Sequence, residues 1–516
     1  MHLQAMGMEG YFNILDNKNA ERTAMWFVLL LLLAFQSIAE LRDVVIMQTT
    51  DMHGVFEEED DSQQNGSWLR IATMVKRIRQ REEGKCILVD CGDNAQGTLA
   101  TALSRGMAGI IPLKTMKYDA WVPGNHELDY GVERFGELAE AVNDIVLCGN
   151  LYIKGKEPFP AWRMIERNGV KVAVIGMSAS YAKHWLLADE YEKLHVEKAF
   201  EALERILPQV HQAKPDAIVL AAHQAWFEGS DTRGVNEIST IAKSFPEIDV
   251  ILGAHSHRLL PGQRLGRRSW YMQPGCHGEY LGVVRVTVDT ERHAVVAIEG
   301  DMRAVTADVA EDDELRTALA DWLEAAKTER NRLIKGSLAR PVKSYGRPGV
   351  SCETSELICR ALAEATGADV VLHGRLSKTD LPAGHVTGLD LFDLVPYENS
   401  IVTAEVTREE LAAIVAEQWR HKTHYSFCGL WGADAKVGKN AETASITALW
   451  KGKWPKNGRV KLALNNHTAA GSGRFTVLRG ILDKPECHTT DTKIMTRAAV
   501  EAYLAKRENL VISVGR

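Results

Sequence analysis

Three features of the sequence predict an α/β chain of two domains. Short runs rich in valine, isoleucine and leucine recur along it, as strands buried on both faces require. Between these runs, apolar residues return every three or four positions, which is the spacing of an amphipathic helix. A length of 516 residues exceeds what one hydrophobic core usually organises. We therefore expect a layered N-terminal α/β domain with mixed sheets, a linker helix and a C-terminal α/β domain.

The N-terminal domain is predicted over residues 41–310. Its helices include "SWLRIATMVKRIRQREE" and "KAFEALERILPQVHQA". The segment "YLGVVRVTVDTERHAVVAIEG" predicts an antiparallel pair that turns at residues 289–292, which makes the sheets mixed. Five other strands each end in a polar turn: "DVVIMQTTDMHG" from Asp43, "CILVDCGDNAQG" from Cys86, "DAWVPGNHE" from Asp119, "DAIVLAAHQ" from Asp216 and "DVILGAHSH" from Asp249.

A second domain is predicted over residues 341–516. Before it, "EDDELRTALADWLEAAKTERNRLI" predicts one long charged helix, which we assign as a linker over residues 311–340. Within the second domain, "SELICRALAEATGADVVL" predicts a helix closed by Gly367 and followed by a strand. The segment "TREELAAIVAEQW" predicts a helix that begins with a capping box between Thr407 and Glu410.

Residues 1–40 have the composition of a leader. An apolar run from Met25 to Phe35 precedes Ser37 and Ala39, whose spacing suits a signal peptidase. The run is too short to cross a bilayer, so we expect cleavage near Ala39, a periplasmic or secreted protein, and no stable membrane association afterwards. An uncleaved leader that anchors the chain in a membrane is the alternative.

The overall composition limits the partners. Sixty-one basic and 68 acidic residues give a net charge of -7, which provides no field for holding a nucleic-acid polymer. Eight cysteines without a C-x-x-C pair indicate neither a zinc ribbon nor a disulfide-rich scaffold. The expected partner is a small molecule, and nothing in the sequence indicates an oligomeric state.

Potential metal ligands follow the five polar-ended strands. Because ligand sites in α/β sheets form at the carboxyl ends of strands, we expect these side chains to converge. Carboxylate, imidazole and amide donors together suit zinc, manganese or iron. Six or seven donors exceed one tetrahedral site, whereas two divalent ions about 3.5–4 Å apart would use them all and create a bridging hydroxide. The residues after these strands, each a possible ligand or proton carrier, are Asp51, His53, Asp93, Asn125, His126, His223, His255 and His257.

These motifs resemble those of the calcineurin-like metallophosphoesterases. The matching stretches are "DMHG", "GDNAQG", "GNHELDYG", the strand-end His223 and "GAHSH". Within that superfamily the chain is similar to the exported two-domain 5'-nucleotidase and 2',3'-cyclic-nucleotide 2'-phosphodiesterase family, because "QPGCHGEYLG" and "LPAGHVTGLDLFDLVPYENSIVTAEVTREEL" extend the likeness over residues 43–516. Ala254 stands where the family usually has glycine, and alanine should fit there.

The resemblance assigns roles to the strand-end residues. It implies that Asp93 bridges the two metals, that His126 faces the substrate as a catalytic residue, and that Asp129 holds the His126 imidazole. Glu127 receives no catalytic role, and we expect it to tether the backbone. The implied ligands of the first metal are Asp51, His53, Asp93 and His257, and those of the second are Asp93, Asn125, His223 and His255.

The second domain is expected to bind the nucleoside, and here the sequence departs from the family. The family has a glycine-rich loop ending in arginine, whereas "HGRLSKTDLPAG" keeps only Gly374, has Lys378 at the arginine position, and offers Arg375 as a substitute. The family also stacks the base between two aromatic rings.

For that stacking the sequence offers His424 or Tyr425 near one position and His467 near the other, with Phe475 close behind. The competing interpretation makes Tyr425 and Phe475 core aromatics. We predict that the substrate-binding residues are Arg375, Lys378, Tyr425, His467 and Phe475.

The predicted function is that of a two-metal phosphohydrolase that cleaves phosphate esters of nucleotides by attack of a metal-bridging hydroxide. Both 5'-nucleotidase and 2',3'-cyclic-nucleotide phosphodiesterase activity fit the resemblance. A nucleotide-sugar hydrolase, a sulfur-ester hydrolase of the same fold, and a non-catalytic surface binding protein are the alternatives. A binding protein would have little reason to keep the whole ligand set together with the His126 and Asp129 pair.

Overall fold

The computed structural model describes residues 40–57, 66–153, 159–181, 193–229, 231, 236–347, 349–374, 376–472 and 474–514. The predicted leader, residues 1–40, therefore lies outside the described residues apart from Glu40. Among the helices of the described ranges, none is both long and apolar enough to cross a membrane.

The N-terminal half alternates strands and helices as expected. Its strands are β1 (Leu41–Thr49), β2 (Cys86–Asp90), β3 (Ala120–Trp121), β4 (Leu151–Ile153), β5 (Trp162–Arg167), β6 (Val170–Met177), β7 (Leu194–Val196), β8 (Ala217–Ala222), β9 (Val250–Leu252), β10 (Leu259–Leu265), β11 (Ser269–Pro274), β12 (Tyr280–Asp289) and β13 (Ala294–Ala304). Its helices are α1 (Trp68–Arg81), α2 (Leu99–Ser104), α3 (Met107–Thr115), α4 (Val132–Ala141), α5 (Ala199–Gln212) and α6 (Ile238–Ser244).

These strands form two mixed sheets, with the orders β13-β12-β1-β2-β3 and β10-β11-β9-β8-β6-β5. Strands β1, β2 and β3 run parallel, and so do β6, β8 and β9. The predicted antiparallel pair is β12 with β13. At its turn the Asp289 carboxylate accepts hydrogen bonds from the backbone N–H groups of Glu291 and Arg292, which confirms the predicted reversal.

The two sheets pack face to face between outer layers of helices. Alternate residues of β1 show this arrangement: Val44 and Ile46 belong to the core between the sheets, whereas Val45 and Met47 belong to the core under α1 to α4. The opposite face of the second sheet packs on α5 and α6. The parallel strands are therefore covered on both faces, and their carboxyl ends reach one common edge.

The helix predicted as a linker is α7 (Asp313–Asn331). It packs on the N-terminal domain, because Leu315 and Leu319 are fully buried in the core formed with α1 to α4. Its first turn is capped by the Asp312 carboxylate, which accepts a hydrogen bond from the Leu315 N–H. The helix therefore covers part of the N-terminal domain and also connects that domain to the C-terminal half.

The C-terminal half is a second layered α/β unit. Its strands are β14 (Val370–Leu372), β15 (Ser400–Thr407), β16 (Leu430–Trp431), β17 (Ala433–Val437), β18 (Ala444–Leu449), β19 (Arg459–Asn465) and β20 (Thr490–Met495). Its helices are α8 (Glu353–Thr366), α9 (Gly388–Leu394), α10 (Arg408–Arg420), α11 (Asn466–Ala469), α12 (Thr476–Leu482) and α13 (Thr496–Leu504).

A five-stranded sheet of order β16-β14-β19-β15-β20 lies between two helical layers. The predicted helix ends are confirmed. Helix α8 stops at Gly367, whose φ of 69° suits glycine, and α10 begins with reciprocal hydrogen bonds between Thr407 and Glu410.

Candidate active site

The predicted ligands meet where the two sheets of the N-terminal domain end side by side. The turn after β1 provides Asp51 and His53, the turn after β2 provides Asp93, and the turn after β3 provides Asn125. The second sheet contributes from the opposite side, because His223 follows β8, and His255 and His257 follow β9. The site therefore straddles both sheets.

Two groups of metal-competent side chains form within this site. In each group the potential ligand atoms lie within 4.8 Å of one another. The Asn125 side-chain oxygen lies 3.2 Å from His223 Nε2 and so joins the second group. Each group combines carboxylate with imidazole, the mixture that borderline divalent cations prefer. The first group is Asp51, His53 and His257, and the second is Asp93, His223 and His255.

The hydrogen bonds of two histidines leave Nε2 available to a metal. His53 Nδ1 lies 3.0 Å from the Gln96 carbonyl oxygen, and His223 Nδ1 lies 2.6 Å from the Cys91 carbonyl oxygen. Because a carbonyl only accepts, each Nδ1 carries a proton and each Nε2 points toward the predicted metal ligands. Burial lowers the pKa of His223, but the Asp93 carboxylate outweighs it and raises that pKa to about 9, so a metal that binds His223 Nε2 would displace a proton from it. His53 Nε2 faces His257 Nε2 at 3.1 Å, so the two nitrogens are close enough to bind one cation.

The charge states also fit a metal centre. Burial lowers the pKa of His53 well below its usual value, that of His255 to about 3 and that of His257 to about 4. These rings are therefore neutral at physiological pH, which is the form that binds a metal. The residues present fit two divalent cations on their donor chemistry and on the orientation of the His53 and His223 rings.

Five predicted ligands adopt a left-handed backbone conformation. The φ angles are 49° at Asp51, 48° at His53, 62° at Asp93, 72° at His255 and 57° at His257. For residues other than glycine this conformation costs on the order of 1–3 kcal/mol and is concentrated at functional sites. The contacts around the turns after β1, β2 and β9 must therefore outweigh this strain, and among them are the backbone hydrogen bonds from Asp51 to Gly92 and from His53 to Asp93.

Two glycines let the turns after β2 and β3 touch behind the ligands. A Cβ added to Gly124 would lie 2.2 Å from Asp93 Oδ1 and 2.7 Å from His223 Cε1. A Cβ on Gly92, whose φ is 92°, would lie 2.3 Å from the Gly124 nitrogen. Any side chain at Gly124 would therefore displace ligands of the second group.

His126 and Asp129 form the predicted pair. His126 Nδ1 lies 2.8 Å from Asp129 Oδ2, within the turn that follows β3. Burial by itself lowers the pKa of His126, but the carboxylates of Asp129 and Asp93 outweigh it and raise that pKa to about 10. The His126 backbone N–H also donates to Asp93 Oδ1 at 2.8 Å. The turn thus fixes an imidazolium beside the predicted metal ligands.

Glu127 has the tethering role that the sequence predicts. Its fully buried carboxylate accepts backbone hydrogen bonds from Asp93, Asn94, Ala95 and Gly124, at 3.0, 2.7, 3.2 and 2.6 Å. One side chain therefore ties the turn after β2 to the turn after β3, which confirms that part of the interpretation.

An interdomain cavity of about 480 Å³ begins at Asn125, His126, Asp129 and His255 and continues into the second domain. The predicted substrate residues Lys378, Tyr425 and His467 line it. Phe475 does not: its ring is fully buried in the core between α10 and the sheet, so the competing interpretation as a core aromatic is the correct one. Arg375 lies outside the described residues.

Sequence reasoning missed Tyr397, which lines the interdomain cavity with 41% of its surface exposed. It lies in the loop between α9 and β15, beside Asn399, which also lines the cavity. The segment "VPYEN" carries a proline before an aromatic residue in an otherwise ordinary loop. A large ring so exposed at a cavity wall can contact a ligand. The proline–tyrosine dipeptide was therefore the feature of the sequence that could have identified Tyr397.

Comparisons with known proteins match both halves of the chain. Residues 44–259 match the family model of calcineurin-like phosphoesterases, and residues 334–480 match that of the 5'-nucleotidase C-terminal domain. Protein 5NUC of Lutzomyia longipalpis is 24% identical over 452 residues, which are 77% of this chain and 76% of that protein. The 5'-nucleotidase of Bos taurus is 24% identical over 339 residues, 59% of this chain and 57% of that one.

A solved structure, that of a putative 5'-nucleotidase from Staphylococcus aureus, has the same fold. It superposes with a TM-score of 0.77 at 19% identity, over 92% of this chain and 98% of that one. Fold and site together define a two-domain metallophosphoesterase, a class that uses divalent metal ions. The chain thus combines a calcineurin-like phosphoesterase domain with a 5'-nucleotidase C-terminal domain.

Proposed function

We propose that this protein is a two-metal phosphohydrolase of nucleotides, acting on 5'-mononucleotides, 2',3'-cyclic nucleotides or both. The observation that carries the proposal is the interdomain cavity, because His126, Asp129 and His255 stand at one end of it and exposed rings of the second domain at the other. Such a cavity would hold a phosphate at the first end and a nucleoside at the second. Its volume of about 480 Å³ lies within the usual range for small-molecule sites.

The metal ligands would be the residues of the two groups, with Asp93 shared between them. Zinc, manganese and iron all suit this donor set. Divalent cations held there would polarise the phosphoryl oxygens and make water nucleophilic at neutral pH. The ring orientation imposed by the Gln96 and Cys91 carbonyls keeps His53 and His223 directed toward the ions.

His126 would act on the substrate itself. Its imidazolium, held by the Asp129 carboxylate at 2.8 Å, can donate a hydrogen bond to a phosphoryl oxygen or to the leaving oxygen as negative charge develops. Asp129 fixes the ring so that Nδ1 points away from the substrate. The pair thus provides charge stabilisation without being part of either ligand group.

In the second domain we propose that the rings of Tyr397 and His467 hold the nucleotide base between them, with Tyr425 at the mouth of the interdomain cavity. Tyr425 is 72% exposed, and its ring lies 4.3 Å from that of His424, which supports it from behind. Lys378, also exposed and lining the cavity, would offer one positive charge to ribose or phosphate oxygens.

The test is hydrolysis of p-nitrophenyl phosphate, adenosine 5'-monophosphate and 2',3'-cyclic adenosine monophosphate with added manganese or zinc. We expect metal-dependent release of product that a chelator abolishes, and a higher kcat/KM for at least one nucleotide than for the aryl ester. A protein that binds nucleotide but cleaves none of the three would instead be a non-catalytic binding protein.

We also propose export to the periplasm or the medium, since the leader has the composition of a signal peptide. Fractionation of cells and N-terminal sequencing of the mature protein test this. Recovery of the intact chain in the membrane fraction would favour the anchored alternative.

A further inference from the structure

A second cavity, of about 340 Å³, lies on the other side of His126. Four histidines line it, namely His53, His126, His257 and His277, and we call it the histidine cavity. His126 and Tyr397 line both this cavity and the interdomain cavity. The volume alone lies within the range of small-molecule sites.

The two predicted metal groups face different cavities. His53 and His257 of the first group line the histidine cavity, whereas Asn125 and His255 of the second group line the interdomain cavity. A phosphorus atom held between the groups, next to His126, therefore has open space on two sides. A nucleoside fills only one of them.

His277 is the residue of the histidine cavity that has no role so far. Its ring centroid lies 5.7 Å from that of His53 and 5.9 Å from that of His257, yet it does not join their group of mutually close ligand atoms. Among the described residues, no hydrogen bond to its ring nitrogens is found. The backbone N–H of His277 donates a hydrogen bond to the Asp51 carbonyl oxygen at 2.8 Å, which fixes the turn next to the first metal group. The φ angle of His277 is 57°, in the left-handed region.

We infer that the histidine cavity binds a second substituent on the reacting phosphorus, and that His277 is the residue that selects for it. This inference rests on the proposed function. The substrate class is an open-chain phosphodiester of a nucleotide, with the nucleoside in the interdomain cavity and the other ester arm beside His277. The ring N–H of His277 donates a hydrogen bond to an oxygen of that arm, and Tyr397 separates the two arms.

Hydrolysis of such a diester adds the oxygen of water to phosphorus and breaks the bond from phosphorus to the oxygen of the second arm. One proton of the water passes to that leaving oxygen. The products are a nucleoside monophosphate and an alcohol, so no further reactant is required.

The experiment compares the p-nitrophenyl ester of thymidine 5'-monophosphate, which has both arms, with thymidine 5'-monophosphate, which lacks the second arm. The measured quantity is the ratio of the two kcat/KM values in the manganese-loaded enzyme. We expect His277→Ala to lower this ratio about tenfold, the effect of one good hydrogen bond. His277→Gln, which keeps a donor, should recover part of the loss.

Two further variants complete the test. His277→Asn tolerates the left-handed backbone at this position. Its side chain is one carbon shorter than that of glutamine, so its amide N–H should not reach the second arm, and we expect it to repeat the loss even where alanine impairs folding. His195→Ala, at an exposed histidine of the two-stranded sheet of β4 and β7, should leave the ratio as in the wild type.

An unchanged ratio in both His277→Ala and His277→Asn, with thymidine 5'-monophosphate still cleaved, overturns the inference and leaves the proposed function standing. So does a wild-type enzyme that cleaves the monoester but not the diester. Loss of bound manganese in His277→Asn would make His277 a metal ligand and also overturn it. Failure to cleave either substrate overturns the proposed function itself.

Discussion

His126 belongs both to the proposed chemistry and to the hydrogen bonds that build the site. Its backbone N–H donates to Asp93, its Nδ1 contacts Asp129, and its ring lines both the interdomain cavity and the histidine cavity. A residue placed between two cavities can act on the phosphorus whichever arm the substrate carries. Its substitution should therefore affect every phosphate ester.

We predict that His126→Ala lowers turnover by about two to four orders of magnitude, as expected for a group that transfers a proton or stabilises charge. Bound metal should stay near the wild-type level, because His126 belongs to neither ligand group. Metal analysis and steady-state kinetics on the same preparation check this. Unchanged turnover would remove His126 from the mechanism.

Asp93→Ala should differ from His126→Ala in its effect on bound metal. If the Asp93 carboxylate is shared between the two groups, its loss weakens both ion sites, so we expect bound metal to fall along with activity. Dialysis followed by elemental analysis measures the ions per chain. Retention of two ions would show that Asp93 does not bridge them.

The residues of the candidate site were predictable from sequence where a polar side chain directly follows a buried strand, because a polar residue at that position is seldom needed for the core. The left-handed backbone at Asp51, His53 and Asp93 was not, since it depends on contacts between separate turns. Phe475 shows the same limit. An aromatic residue after a glycine-rich loop can face a cavity or a core, and only packing against α10 decides.

At the scale of the elements, the turn after β2 and the loop between α9 and β15 contact each other across the domain boundary at the site. The Gln96 side chain, in the turn after β2, donates a hydrogen bond to the Pro396 carbonyl oxygen at 2.8 Å, across the domain boundary. The Gln96 main-chain carbonyl accepts the His53 Nδ1 proton. The loop that carries Tyr397 is held from behind by Arg497, which donates to the Val395 carbonyl oxygen at 3.0 Å. One residue of the first domain thus contacts both a predicted metal ligand and the loop that lines the cavities.

We predict that Gln96→Ala raises the KM for nucleotides about threefold to tenfold, the effect of one lost hydrogen bond. Bound metal should not change, because the substitution keeps the carbonyl group that orients His53. The KM for p-nitrophenyl phosphate should change less, since that ester does not reach the second domain. Gln209→Ala, on the exposed side of α5, is the matched control and should leave all three unchanged. Loss of metal in Gln96→Ala, or equal effects on both substrates, would contradict this account.

At the scale of the whole molecule, the proposed chemistry and the proposed substrate recognition lie in different domains. The predicted ligands and His126 all come from the N-terminal sheets, whereas Lys378, Tyr397 and His467 come from the C-terminal unit. Strand and helix alternation predicted both units and the helix between them. The side of the chain on which that helix packs was not predictable, because its charged sequence hides the buried Leu315 and Leu319.

We predict that Tyr397→Ala lowers kcat/KM for a 5'-mononucleotide by about fivefold to 150-fold, since stacking of a base on an aromatic ring contributes about 1–3 kcal/mol. The value for p-nitrophenyl phosphate should fall much less. Tyr345→Ala, a 48% exposed tyrosine of the second domain outside the lining of the interdomain cavity, is the control. If both tyrosine variants lose the same activity, Tyr397 is not a base-binding residue.

The position of the site across both sheets has a consequence for how the N-terminal domain unfolds. Each predicted ion would be held by ligands from one sheet and from the other, because Asp51 and Asp93 follow strands of the first sheet, and His257 and His223 follow or lie next to strands of the second. Bound cations would then cross-link the two layers, and separation of the layers would require their release. Cation binding and folding are thereby linked, so a chelator should lower the melting temperature of this domain as well as its activity.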